Sequence, residues 1–167
     1  MRTVVIQPLS VTDFFEFGFY RNMFDPVCEK LGAPPIEFFR DMLPQTLGQA
    51  TLVSYSNCRV EPREMLVDAT ECHSRTAEML LPLDADVLMH FAPATPPTEP
   101  VPLDKIRVFR IPRGTMVVIK PGTWHHAPFV IDGNCANVLV ALPERTYASD
   151  CTAVRLIGDD RVRILVS

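Results

Sequence analysis

The sequence predicts an all-β fold, a sandwich or barrel with short helices confined to its first fifty or so residues. Three observations lead there. From residue 51 onward, about ten short segments rich in β-branched and apolar residues follow one another. Turn-forming clusters separate most of them: Pro112-Arg113-Gly114, Asp132-Gly133-Asn134 and Gly158-Asp159-Asp160 are the clearest. Prolines outnumber glycines sixteen to seven, which suits many short elements broken by rigid turns, and no long helices are interleaved with the strands.

In chain order, residues 1–50 read as a helical and strand extension packed on a barrel formed by residues 51–167, the whole making one domain. A strand is expected over residues 3–7. A short helix follows over 11–17, with Thr12 or Asp13 as its N-cap, and a second over 36–43 behind Pro34-Pro35. Strands are then expected over 51–60, 64–70, 76–83, 86–92, 105–111, 115–119, 126–131, 136–142, 152–157 and 161–166. A proline-rich hinge occupies residues 93–102.

Composition narrows the function. Hydrophobic residues make up 47% and charged residues 22%, the balance of a packed globular chain. The net charge is −4 and no lysine or arginine run exists, which argues against nucleic acid and anionic membrane as partners. Apolar runs such as Met116-Val117-Val118-Ile119 are too short to span a bilayer. Gln7, Pro8, Ser10 and Asp13 interrupt the apolar start before a signal sequence can form, so a mature cytoplasmic N-terminus is expected. Cys28, Cys58, Cys72, Cys135 and Cys151 are odd in number and include no Cys-x-x-Cys pair, which points to a reducing compartment.

Two segments concentrate the chemistry. In Glu71-Cys72-His73 the two-residue period of an extended chain puts Glu71 and His73 on one face and Cys72 on the other. Glu78 follows within the apolar run Ala77-Glu78-Met79-Leu80-Leu81, where a buried carboxylate needs a partner. Some fifty residues later the turn Lys120-Pro121-Gly122 leads into Trp124-His125-His126. His126 should face away from His125, and His90, the remaining histidine, reads as structural. Were they to converge, His73, Glu78, His125 and Glu71 would form a mixed nitrogen and oxygen donor set. Such a set suits manganese, iron, nickel or zinc better than calcium or copper(I).

The pattern His73-x4-Glu78, then Gly114-x5-Lys120-Pro121-Gly122-x2-His125, resembles the two motifs of the cupin superfamily, with Glu71 standing where its first histidine would be. Over roughly residues 50–142 the chain is more specifically similar to the ureidoglycolate lyase family. The residues that carry this likeness are Glu71-Cys72-His73, Glu78, the strand ending His90-Phe91-Ala92-Pro93, and Gly122-Thr123-Trp124-His125-His126-Ala127-Pro128. The opening Ile6-Gln7-Pro8-Leu9-Ser10 is similar too, whereas residues 116–120 and the tail from 142 onward depart from the family pattern.

The resemblance implies a cupin-like double-stranded β-barrel (jelly roll) that splits ureidoglycolate into glyoxylate and urea. It also implies a divalent metal on His73, Glu78, His125 and Glu71, with Glu71, His73 and His125 as catalytic residues. Lys120 and Arg145 are the expected partners of the substrate carboxylate. Trp124 is expected to wall the substrate site or plug one barrel end. Pairing through the strand at 3–7 would make a homodimer. Two other readings stay open: a different metal-dependent cupin activity on a small acid or sugar, and a barrel that binds a metabolite without turning it over.

Overall fold

The computed structural model describes residues 1–96 and 98–166, so Pro97, within the expected hinge, lies outside the described residues. Two curled sheets form the body of the molecule, with a separate two-stranded sheet in the first fifty residues. The smaller curled sheet has five strands in the order Gly18–Asn22, Thr115–Ile119, Glu78–Pro82, Ala136–Pro143 and Val53–Val60. The larger runs Thr152–Arg155, Ala69–Cys72, Trp124–His125, Val87–Ala92, Arg107–Ile111, Arg2–Pro8, Val162–Leu165 and Leu66–Val67, with Phe129–Val130 also pairing on Val87–Ala92. This is the all-β architecture that the sequence predicts.

One end strand of the larger sheet, Leu66–Val67, is separated by only Asp68 from Ala69–Cys72, the strand next to its other end. A single connecting residue spans at most about 7 Å between its neighbours, so the sheet has to roll back toward itself. Alternation along its strands then serves two cores. On one face Val87, Met89, Phe91, Phe109 and Ile111 meet Leu80, Val117, Ile119, Val138 and Val140 of the smaller sheet. On the other, Val67, Leu88, Ala92, Val108, Trp124, Phe129, Leu156 and Ile164 fill the fold of the rolled sheet.

The first fifty residues differ from expectation. The helix is the single turn Val11–Phe14, capped by Ser10, whose hydroxyl accepts from the Asp13 N–H at 3.1 Å. Its buried Phe14 reaches the inter-sheet core, edge-on to Phe91 and Phe109. Where a second helix was expected, Ile36–Phe39 is a strand paired with Lys30–Ala33. Pro34-Pro35 makes the turn between them instead of opening a helix, and Ile36 and Phe38 follow β-propensity. Arg2–Pro8 lies between Arg107–Ile111 and Val162–Leu165, parallel to both. It is therefore not the free edge that the strand-pairing dimer requires. No helix among the described residues is long and apolar enough to cross a membrane.

Gly18 marks a tight approach. A Cβ there would lie 2.2 Å from the Val118 carbonyl oxygen on the neighbouring strand. Gly18→Ala should therefore lower stability by about 1–3 kcal/mol, seen as an earlier thermal melt; an unchanged melting temperature would contradict this packing.

Candidate active site at the barrel mouth

Both sheets contribute to one cluster. Glu71 and His125 sit directly opposite each other on Ala69–Cys72 and Trp124–His125, so their side chains share the inward face. His73 follows at the end of the first strand, where its carbonyl accepts from the Gly122 N–H at 2.6 Å. That bond ties the two motif segments together. Glu78 opens Glu78–Pro82 on the smaller sheet and meets them from the opposite side, paired in register with Ile119.

The geometry is tight. Glu78 Oε2 lies 3.0 Å from His73 Nε2 and 3.0 Å from His125 Nε2. The three residues are 5%, 2% and 2% exposed, respectively. Each imidazole is also fixed from behind: His73 Nδ1 donates to the Asp150 carbonyl at 2.7 Å, and His125 Nδ1 to the Thr123 carbonyl at 2.8 Å. A carbonyl only accepts, so both protons of the neutral rings sit on Nδ1 and both Nε2 lone pairs face the carboxylate. Three electron-rich atoms held this way call for a cation among them, either protons on the rings or a metal ion.

Electrostatics favour the charged form. Burial opposes ionisation of Glu78, yet His125 first and His73 second outweigh it and hold the carboxyl well below its usual range. Burial likewise opposes a charge on His73, but the bonds to Glu78 and to the Asp150 carbonyl hold its pKa above the ordinary histidine value. Donor atoms of Glu71, His73 and His125 lie within 4.8 Å of one another. That group offers two imidazole nitrogens and one carboxylate, with both rings oriented by carbonyl partners and hydrogen-bonded to Glu78 Oε2. That donor set fits a borderline divalent metal ion.

Sequence reasoning missed Asp150. Its buried carboxylate accepts from Ser74 N (3.0 Å), Ser74 Oγ (2.8 Å), Arg75 N (3.0 Å) and Thr76 Oγ1 (3.1 Å), while its carbonyl holds His73. Burial opposes its ionisation, but these donors keep the carboxyl below its usual range. The residue ends the short helix Thr146–Ser149, whose Tyr147 ring stands edge-on to His73 at 5.8 Å between centroids. Cys151 Sγ lies 3.5 Å from Glu71 Oε2 on the same side. No local pattern announces these partners, because the Asp150 contacts span 74–77 residues of sequence.

The three expected substrate contacts lie elsewhere. Lys120 points to the N-terminal segment, its ammonium bound to the Phe15 carbonyl and set over the Phe15 and Phe19 rings. Arg145, in a left-handed turn conformation, has a side chain 82% exposed and pairs with Glu144 at 3.7 Å. Trp124 takes the face opposite His125, as strand alternation requires. Its indole donates to Thr95 Oγ1 at 3.0 Å and lines a separate cavity of about 630 Å³ with Cys72, Val101 and Leu103. His90 is buried on that same face, next to Thr70. Lys120→Met and Arg145→Ala should each leave the KM for a carboxylate substrate within about twofold of wild type. A rise of tenfold or more for either would restore it to the site.

This fold and cluster define an all-β protein of two curled sheets with a candidate metal centre to which both contribute. Residues 1–162 match the family model described as ureidoglycolate lyase, and the chain belongs to the ureidoglycolate lyase family, a family of carbon–nitrogen lyases. The match extends well past residue 142, so the tail that carries Asp150 falls within it. No curated protein matches the chain.

Solved structures show distant similarity only. A dTDP sugar isomerase from Desulfovibrio desulfuricans G20 is 13% identical with a TM-score of 0.48, covering 86% of this chain and 85% of that one. Oxalate decarboxylase from Bacillus subtilis, an enzyme with Mn(II) centres, is 15% identical with a TM-score of 0.44 over 62% of this chain. The chain spans 24% of that decarboxylase's length. These likenesses carry no functional inference.

Proposed function

We propose that the protein splits ureidoglycolate into glyoxylate and urea at the Glu71, His73, Glu78 and His125 cluster. The observation that carries this reading is the Glu78 carboxylate held 3.0 Å from two imidazole nitrogens whose other nitrogens are fixed to backbone carbonyls. Family membership supplies the substrate.

The reaction removes the hydroxyl proton of a hemiaminal, forms the aldehyde C=O and breaks the carbon–nitrogen bond, and the nitrogen leaves with a proton as urea. No water is consumed. Glu71, half-buried at the open side of the cluster, is the base for the hydroxyl proton and returns it to the departing nitrogen. His73, Glu78 and His125 would hold a divalent metal, which when bound supplies Lewis-acid polarisation of the substrate oxygens. Asp150 and Thr123 keep the two rings aimed, so that no reorientation is needed during turnover.

A cytoplasmic setting fits the five free thiols. A homodimer built by strand addition would use the exposed edge at Val53–Val60, since Arg2–Pro8 is paired on both sides. The test is product analysis: purified protein given ureidoglycolate should release urea and glyoxylate in equal amounts. Ammonia in place of urea would mean that the ureido group is hydrolysed, and the lyase reading would be wrong.

A further inference from the structure

We propose that Tyr147 is a substrate-binding residue at the mouth of this site, its phenol donating a hydrogen bond to the ureido oxygen of the substrate. The inference deepens the lyase reading and rests on it.

Tyr147 sits on the one-turn helix Thr146–Ser149. That turn is anchored at both ends: Thr146 Oγ1 donates to the Pro143 carbonyl at 2.7 Å, and Asp150 N donates to the Thr146 carbonyl at 2.8 Å. The Asp150 carboxylate then ties the turn to Ser74, Arg75 and Thr76. The ring meets His73 edge-on, at an interplanar angle of 86°. The residue as a whole is nevertheless 61% exposed. One part of the ring therefore touches a buried histidine of the cluster while the rest faces the solvent from which a substrate arrives.

The hydroxyls near the cluster separate into committed and free. Ser74 and Thr76 are engaged by Asp150, Thr146 by Pro143, Thr70 by the His125 carbonyl and Thr123 by the Phe17 carbonyl. The Tyr147 phenol makes no hydrogen bond to any described residue. The acidic groups of the cluster, Glu71 and Glu78, are carboxylates set against the histidines; carboxylates accept from the N–H groups of a ureido substituent but offer its oxygen nothing. A neutral donor at the rim completes recognition of that group, and a phenol is protonated throughout the neutral range.

The test uses N-carbamoylglycine, which keeps the carboxylate and ureido group but has no hemiaminal hydroxyl and so cannot be cleaved. Glycolate, which lacks the ureido group, is the control. Calorimetry on the full-length protein should show Tyr147→Phe binding N-carbamoylglycine about fivefold more weakly than wild type, with glycolate affinity unchanged. In turnover of ureidoglycolate the same variant should raise KM by a similar factor and leave kcat nearly intact, because the retained ring preserves the contact with His73. Unchanged N-carbamoylglycine affinity would overturn the proposal, as would an equal loss for both ligands, which would mark the hydroxyl as structural. If wild type neither binds N-carbamoylglycine nor cleaves ureidoglycolate, the lyase reading fails first and this inference with it.

Discussion

A Glu78→Gln variant should release glyoxylate from ureidoglycolate about a hundredfold or more slowly than wild type, and should retain less divalent metal after purification. The reason is local. One carboxylate oxygen lies between two imidazole nitrogens, and the barrel buries all three residues almost completely. Glutamine has the same size, so packing is preserved, but it brings no negative charge to offset a cation or a protonated His73. The variant should fold, and its circular dichroism should match wild type. Activity within about threefold of wild type would mean that Glu78 is a structural acid whose charge the reaction does not use.

The second large effect is expected at Asp150. Asp150→Ala removes the acceptor for two backbone N–H groups and two hydroxyls on the segment that carries His73. Hydrogen bonds to a buried carboxylate are individually strong, so a loss of about 3 kcal/mol is expected, enough to lower the melting temperature by roughly 10 °C. kcat should fall by about tenfold or more, because the Asp150 carbonyl behind His73 remains but the turn that carries it is no longer tied to Ser74, Arg75 and Thr76.

The effect of pH has a definite sign. The folded-state pKa of Asp150 is depressed, so its stabilisation is fully present above the unfolded value near 4 and is lost as pH falls through the folded pKa. The difference in melting temperature between wild type and Asp150→Asn should therefore shrink on acidification from pH 6 toward pH 3. A constant difference over that range would indicate that the charge is not what stabilises the segment.

Much of this architecture could be read from period and turn chemistry. Most strands from Val53 onward match runs of β-branched residues bounded by proline, glycine and aspartate, but the run expected over 64–70 is split into Leu66–Val67 and Ala69–Cys72, and the strand Trp124–His125 falls outside the expected ones. The placing of Glu71 with His73, and of Trp124 away from His125, follows from alternation alone.

Other features needed tertiary information. Ile36–Phe39 carries β-formers, but its pairing with Lys30–Ala33 is what makes it a strand. The direction of Lys120 is set by its position beside Phe15 and Phe19, two rings more than a hundred residues away in sequence. Asp150 has no motif of its own; only the return of the chain after Ala136–Pro143 brings it under His73.

The most direct test is the rate of glyoxylate formation from ureidoglycolate by wild type and His125→Ala, measured side by side at equal protein concentration. The account predicts turnover by wild type and a rate lower by about a hundredfold or more in the variant. No glyoxylate from wild type, or equal rates from the two proteins, would contradict it.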